Sequence, residues 1–187
     1  NKLYRIDPIE WKVLSVEDDE IYVLAYDVLD IQPYNESGNT VWANSSLRTW
    51  LNSYFYSSAF SDLEKKKINW SKIQNGDDPY TGEDGGIDTK DKIFIPSYAD
   101  VTDPNMGFTS YYYENSSWNE DSAYKDGLRT CRFSNYATNI FSEKKNKDIY
   151  AERLYWLRNS GYCVMDFDGN RFYYGYISGC NVQSDIG

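Results

Sequence analysis

Apolar residues recur at Leu47, Trp50, Leu51, Tyr54 and Phe55, the i, i+3, i+4, i+7, i+8 spacing of one helical face. Asn44, Ser45 and Ser46 stand just before them and are the residue types whose side chains satisfy free amides at a helix start. The spacing therefore predicts an amphipathic helix beginning near Asn44, with Trp50 in the core. On that reading Trp50→Ala empties a core site at a cost of about 3–5 kcal/mol. Upstream, Ile9, Trp11 and Val13 alternate with Glu10 and Lys12, the pattern of a half-buried strand. The acidic turn Glu17-Asp18-Asp19-Glu20 leads into a return strand from Ile21 to Tyr26. Ser61-Asp62-Leu63-Glu64 is a capping box that opens a short helix toward Ile68. Ile93-Phe94-Ile95 predicts a short strand, and Ser134-Asn135-Tyr136-Ala137 begins a third helix whose apolar face Ile140 and Phe141 complete. Val164 to Phe167, a turn at Asp168-Gly169 and Arg171 to Ile177 form the clearest hairpin.

Two stretches have no such pattern. Gln74 to Lys92 is an acidic, Gly-rich loop, and Asp100 to Gly127 is rich in Tyr, Asn, Ser and Asp; a patternless stretch of that length is usually functional or mobile. No internal repeat or linker divides the 187 residues, so a single domain spanning 1–187 is expected, burying roughly 70% of the surface its unfolded chain exposes.

Composition changes this picture in one respect. Nineteen Tyr, 8 Phe and 6 Trp make 18% of the chain aromatic, too many rings for the core alone, so many must present a polar edge to water. The ordinary reading is a core plus half-exposed faces; the sharper one is a recognition surface. With 19 basic against 29 acidic residues the formal charge is −10, which repels phosphate backbones and anionic lipids and argues against nucleic-acid or membrane-surface partners. No apolar run is long enough to span a membrane. The chain opens at Asn1 with no visible signal peptide, so a processed or trimmed chain is expected. Histidine is absent, which removes the commonest general base and zinc ligand. Cys131, Cys163 and Cys180 have no zinc or redox spacing. Cys163 and Cys180 flank the predicted hairpin; free thiols are the ordinary reading, and a disulfide closing about 17 residues, worth about 3 kcal/mol, is the alternative.

The candidate chemistry lies in four places. Tyr111, Tyr112, Tyr113 and Trp118 with Asn119 form an aromatic run among polar neighbours, expected as an exposed platform that binds ligand. Tyr173 and Tyr174 on the last hairpin are the second candidate surface. Trp156 and Arg158, read as one strand, share a face with Leu157 opposite; Arg158 is either a ligand contact or a structural arginine tying loop carbonyls with its five donors, and Arg48 has the same two readings. Asp84, Asp88 and Asp91 crowd the Gly-rich loop, where carboxylate oxygens suit calcium. The spacing is not that of an EF-hand and acidic Gly-rich turns are common on surfaces, so the expectation is no cofactor, with calcium as the alternative.

Several motifs occur together in order: Pro8-Ile9-Glu10-Trp11-Lys12-Val13-Leu14, the Trp42 to Phe60 helix, Asp84 to Phe94, Arg129 to Ala137, and Trp156-Leu157-Arg158. This set resembles DUF6273, a bacterial domain family of unknown function found in secreted and surface proteins. The resemblance implies an extracellular or cell-surface location. Members continue past the equivalent of Gly187, so it also implies that the chain stops short of a final core strand. The order of elements is similar to that of C-type-lectin-like domains, which implies an α+β fold with a small twisted antiparallel sheet, two or three helices and long loops. Asp103-Pro104-Asn105 and Trp118-Asn119-Glu120-Asp121 are distantly similar to the sugar-binding motifs of animal lectins, at a different spacing.

These observations lead to an expected role as a non-catalytic recognition module that binds glycan or protein through Tyr/Trp-rich loops. The alternatives are a carbohydrate-active enzyme using paired carboxylates and a structural spacer.

Overall fold

The computed structural model describes residues 8–36, 41–77, 82–108, 132–143, 156–159, 162–165, 171–174, 177–178 and 181–182. They form a mixed α and β structure of short helices and small, mainly antiparallel strand pairs. Strand β1 (Trp11–Glu17) pairs with β2 (Glu20–Ala25), and β3 (Asp27–Val28) follows. Helix α1 (Ser46–Trp50) runs through a π-helical turn at Leu51–Phe55 into α2 (Tyr56–Ala59), then α3 (Asp62–Lys65). Strands β4 (Ser71–Ile73) and β5 (Thr89–Asp91) form the second hairpin. Strand β6 (Arg132–Phe133) lies parallel to β3 and leads into α4 (Asn135–Glu143). Strands β7 (Tyr162–Met165) and β8 (Arg171–Tyr174) pair antiparallel, as do β9 (Ile177–Ser178) and β10 (Asn181–Val182). Among the described residues the strands make five separate pairs instead of one continuous sheet.

The expected starts hold. Ser45 caps α1, its hydroxyl accepting from the Arg48 amide at 3.1 Å. The Ser61/Glu64 capping box is complete, and the Ser134 hydroxyl accepts from the Ala137 amide at the start of α4. The closing hairpin is present with Val164 opposite Phe172.

Three expectations are corrected. Trp11 and Val13 lie on the exposed outer face of β1, and Leu14, one position on, turns into the core; the register shift between Val13 and Ser15 adds one extra residue, which returns Val16 to the outer face. Tyr54 is exposed and Trp50 only half-buried: the wider i→i+5 turn at Leu51–Phe55 breaks the 3.6-residue repeat that would keep them on one face. Among the described residues the fully buried tryptophan is Trp42. Ile93-Phe94-Ile95 is irregular; the strand is the polar run Thr89–Asp91 just before it.

Among the described residues two apolar clusters form the core. Leu14, Val101, Phe108 and Leu157 gather beneath β1–β2. Trp42, Leu47 and Leu51 gather under α1, joined by Ile93, Phe94 and Ile95.

Candidate functional site

Arg48, Asn52 and Tyr56 recur every four residues along the helix and therefore share a face. That face meets the end of β5 and the residues after it. Arg48 Nε donates to Asp91 Oδ1 at 2.8 Å, and its Nη1 donates to the Ala43 carbonyl at 2.9 Å. Asn52 Oδ1 accepts from the amides of Lys92 and Ile93, while its Nδ2 donates to the carbonyls of Ile93 and Arg48. The Arg48 carbonyl also accepts from the Leu51 amide, so the side chain of Asn52 ties the helix backbone to the chain at 92–93. Beneath, Asp91 is fully buried; its Oδ2 accepts from Trp42 Nε1 at 3.0 Å and from the Thr89 hydroxyl at 2.7 Å. A buried carboxylate is tolerated only when paired and hydrogen-bonded, and Asp91 has both. The Gly-rich loop braces the same region. Asn75 Nδ2 donates to the Ile87 carbonyl at 2.8 Å, and Gly86, at φ 82°, lies where a Cβ would meet Val41 at 2.7 Å.

This frame fixes a surface cluster. Lys92 donates to the Tyr56 hydroxyl, and its ammonium stands 4.3 Å from the Tyr56 ring centroid and 5.5 Å from that of Trp70. The Tyr56 hydroxyl in turn donates to the Lys65 carbonyl at 3.2 Å. Trp70 remains 55% exposed. An ammonium has three protons to donate and Tyr56 takes one. The cluster thus offers an open indole beside a charged donor and a phenol, the latter two tied to each other and to the Lys65 carbonyl.

The second constellation surrounds Arg158. Its Nη1 donates to the Ile95 carbonyl at 2.6 Å and pairs with Asp100 at 3.0 Å, and its guanidinium lies 5.5 Å from the Phe94 ring centroid. The Arg158 amide donates to the Pro96 carbonyl, the Tyr34 hydroxyl donates to the Arg158 carbonyl, and Asn159 Oδ1 accepts from the Tyr98 amide. Arg158 is thus a buried staple between the chain at 156–159 and the chain at 95–100. Leu157 is buried with it while Trp156 is exposed, so the segment is not the strand expected, in which Trp156 and Arg158 would share a face. The Trp156 indole donates to the Gln32 carbonyl at 3.1 Å, and its ring centroid stands 5.6 Å from that of Tyr34. Burial pushes the Tyr22 and Tyr34 hydroxyl pKa values up; at Tyr22 the Asp100 carboxylate adds to the rise, and at both the Arg158 charge opposes it.

The acidic loop residues do not gather as ligands. Asp84 Oδ1 accepts from the Gly86 amide, Asp88 Oδ1 from the Asn75 amide, and Asp91 belongs to the buried network. Among the described residues no group of three or more acidic or cysteine side chains is placed to hold a metal ion. Asp103 Oδ1 accepts from the backbone and side-chain nitrogens of Asn105, so the first lectin-like motif is a self-bonded turn.

Tyr111, Tyr112, Tyr113, Trp118 and Asn119 lie outside the described residues, as do Cys131 and Cys180. Tyr173 and Tyr174 sit on β8, opposite Cys163 and Tyr162. Periodicity reasoning missed Tyr56, Trp70 and Lys92. The signal was present in the polar stripe Arg48/Asn52/Tyr56, on the side of the helix that an apolar-face search ignores.

A family model described as Domain of unknown function (DUF6273) matches residues 18–181. No curated protein and no solved structure matches the chain.

Proposed function

The chain belongs to the DUF6273 family, and from that premise we propose that it is a non-catalytic recognition module of a secreted or surface bacterial protein, binding glycans through exposed aromatic side chains. The observation that carries this reading is Trp70, a 55% exposed indole set beside the Lys92 ammonium and the Tyr56 phenol. A pyranose ring has one apolar face that stacks on an indole and a rim of hydroxyls that accept from an ammonium. Large rings with few rotatable bonds give contact area at low entropic cost. The ammonium held over Tyr56 and Trp70 is itself partly fixed by cation–π attraction, so little freedom remains to be lost on binding. The −10 charge of the chain disfavours polyanionic ligands and favours neutral sugars.

The C-type-lectin-like arrangement is part of the same proposal. The order of hairpin, helices and closing hairpin supports it. The Tyr111–Trp118 run, by its composition alone, is proposed as a second arm for ligand contact.

A glycan and mucin array probed with the domain tests the reading. The expected result is retention of a defined set of neutral glycans, with a loss of about tenfold or more in affinity for Trp70→Ala. Full binding by that variant, with loss only on replacing Tyr112, Tyr113 and Trp118, moves the contact to the second arm. Absence of binding to any glycan overturns the reading, and cleavage of a retained glycan replaces it with the enzymatic one.

A further inference from the structure

The outer face of the β1–β2 hairpin is apolar from end to end. Trp11, Val13, Val16, Ile21 and Val23 occupy it with 39–66% of their surface open. Val13 stands opposite Val23, and Val16 opposite Ile21. The inner face is already used, since Leu14 belongs to the core and Tyr22 and Leu24 pack against it. The apolar surface also continues sideways, where the Trp11 ring stacks on Phe60 at 6.2 Å between centroids. Scattered exposed apolar residues need no explanation, but a contiguous cross-strand set marks a contact surface. Among the described residues β1 and β2 pair only with each other, and a two-stranded ribbon gains most from a partner laid on its bare face.

Charge says what that partner is. Glu17, Asp18, Asp19 and Glu20 are all exposed at the hairpin tip, and Glu10 is exposed at the other end. A second copy would bring like charges toward one another on chains that each carry −10, which costs association energy. We propose that this face docks a protein segment with an apolar face flanked by lysine or arginine, distinct from the glycan cluster at Trp70.

The test uses the whole chain and two synthetic amphipathic helical peptides with the same leucine face, one with lysine and one with glutamate on its polar face. The lysine peptide is expected to bind about tenfold or more tightly than the glutamate peptide. Ile21→Thr with Val23→Thr, which keeps every charge and stays on the outer face, is expected to lose that binding while the circular dichroism spectrum is unchanged. Asp18→Asn with Asp19→Asn is expected to weaken the lysine peptide alone; Asn tolerates the left-handed backbone at position 18, where φ is 47°. Equal binding of both peptides, or binding indifferent to the Thr substitutions, overturns the proposal. So does a concentration-dependent dimer that the Thr substitutions abolish, because the occupant is then a second copy.

Discussion

The indole N–H of Trp42 donates to the carboxylate of Asp91 at 3.0 Å, and both side chains are fully buried. The bond joins the entry to α1 to the end of β5 across 49 positions of sequence. Trp42→Phe keeps most of the ring volume and removes the donor, so it is expected to cost about 1–3 kcal/mol. Trp42→Ala adds a cavity and is expected to cost about 3–5 kcal/mol or more. Denaturant titration of both variants checks this. A Phe variant as stable as the parent would mean that Thr89 and Arg48 satisfy Asp91 unaided.

Asp91→Asn is nearly isosteric but removes the charge that Arg48 pairs with and places an amide nitrogen among donors. Breaking such a pair from one side is expected to cost about 3–5 kcal/mol. The side chain of Asp91 is 1% exposed and that of Arg48 is 28% exposed, so solvent screens the pair little. Loss of a few tenths of a kcal/mol would place the pair among ordinary surface ion pairs.

The capping box gives an acid-side prediction. Hydrogen bonds from the Ser61 hydroxyl and amide hold the Glu64 carboxyl below its usual pKa. Its contribution to stability is therefore present above the ordinary glutamate value of about 4.3 and is lost as pH falls through the lowered one. Ser61→Ala, which removes the hydroxyl and keeps the backbone amide, is expected to raise the Glu64 midpoint toward its ordinary value, read by carboxyl-carbon NMR. An unchanged midpoint contradicts the assignment.

On the alkaline side, Tyr22 and Tyr34 carry raised pKa values. The folded state keeps both protons, so this contribution is complete below the ordinary tyrosine value of about 10 and is lost as pH rises beyond it. Phenolate absorbance is expected to show a late fraction that shrinks in Tyr34→Phe. That variant also loses the 3.2 Å bond to the Arg158 carbonyl, at a cost of about 1 kcal/mol. A single tyrosine titration near the ordinary value, without unfolding, contradicts the burial of both hydroxyls.

Local chemistry was legible in the sequence. Ser45, Ser61 and Ser134 cap where their residue types and spacing place them, because capping depends on three or four neighbours. Arg158 follows the structural of its two readings, as the composition of the segment it staples gives it carbonyls to hold. Outcomes set by distant partners were not legible. The buried face of β1 carries Leu14 and not Trp11 and Val13, a choice set by the distant residues Val101, Phe108 and Leu157 that pack against Leu14. The π-helical turn carries Tyr54 out to solvent and brings Asn52 onto the chain at 92–93, a placement that depends on a segment forty residues away. The buried role of Asp91 was hidden by its acidic neighbours, which made one loop look like a calcium site, whereas Asp77, Asp84 and Asp88 each accept from a different backbone amide.

The most direct test of the recognition reading is the indole ¹H–¹⁵N resonance of Trp70, followed while a glycan retained on the array is titrated into the domain. Stacking of a sugar on Trp70 predicts a saturable shift of that resonance with the affinity seen on the array, accompanied by Lys92 and Tyr56, while the buried Trp42 indole stays in place. Saturable binding that leaves the Trp70 resonance unmoved would contradict it.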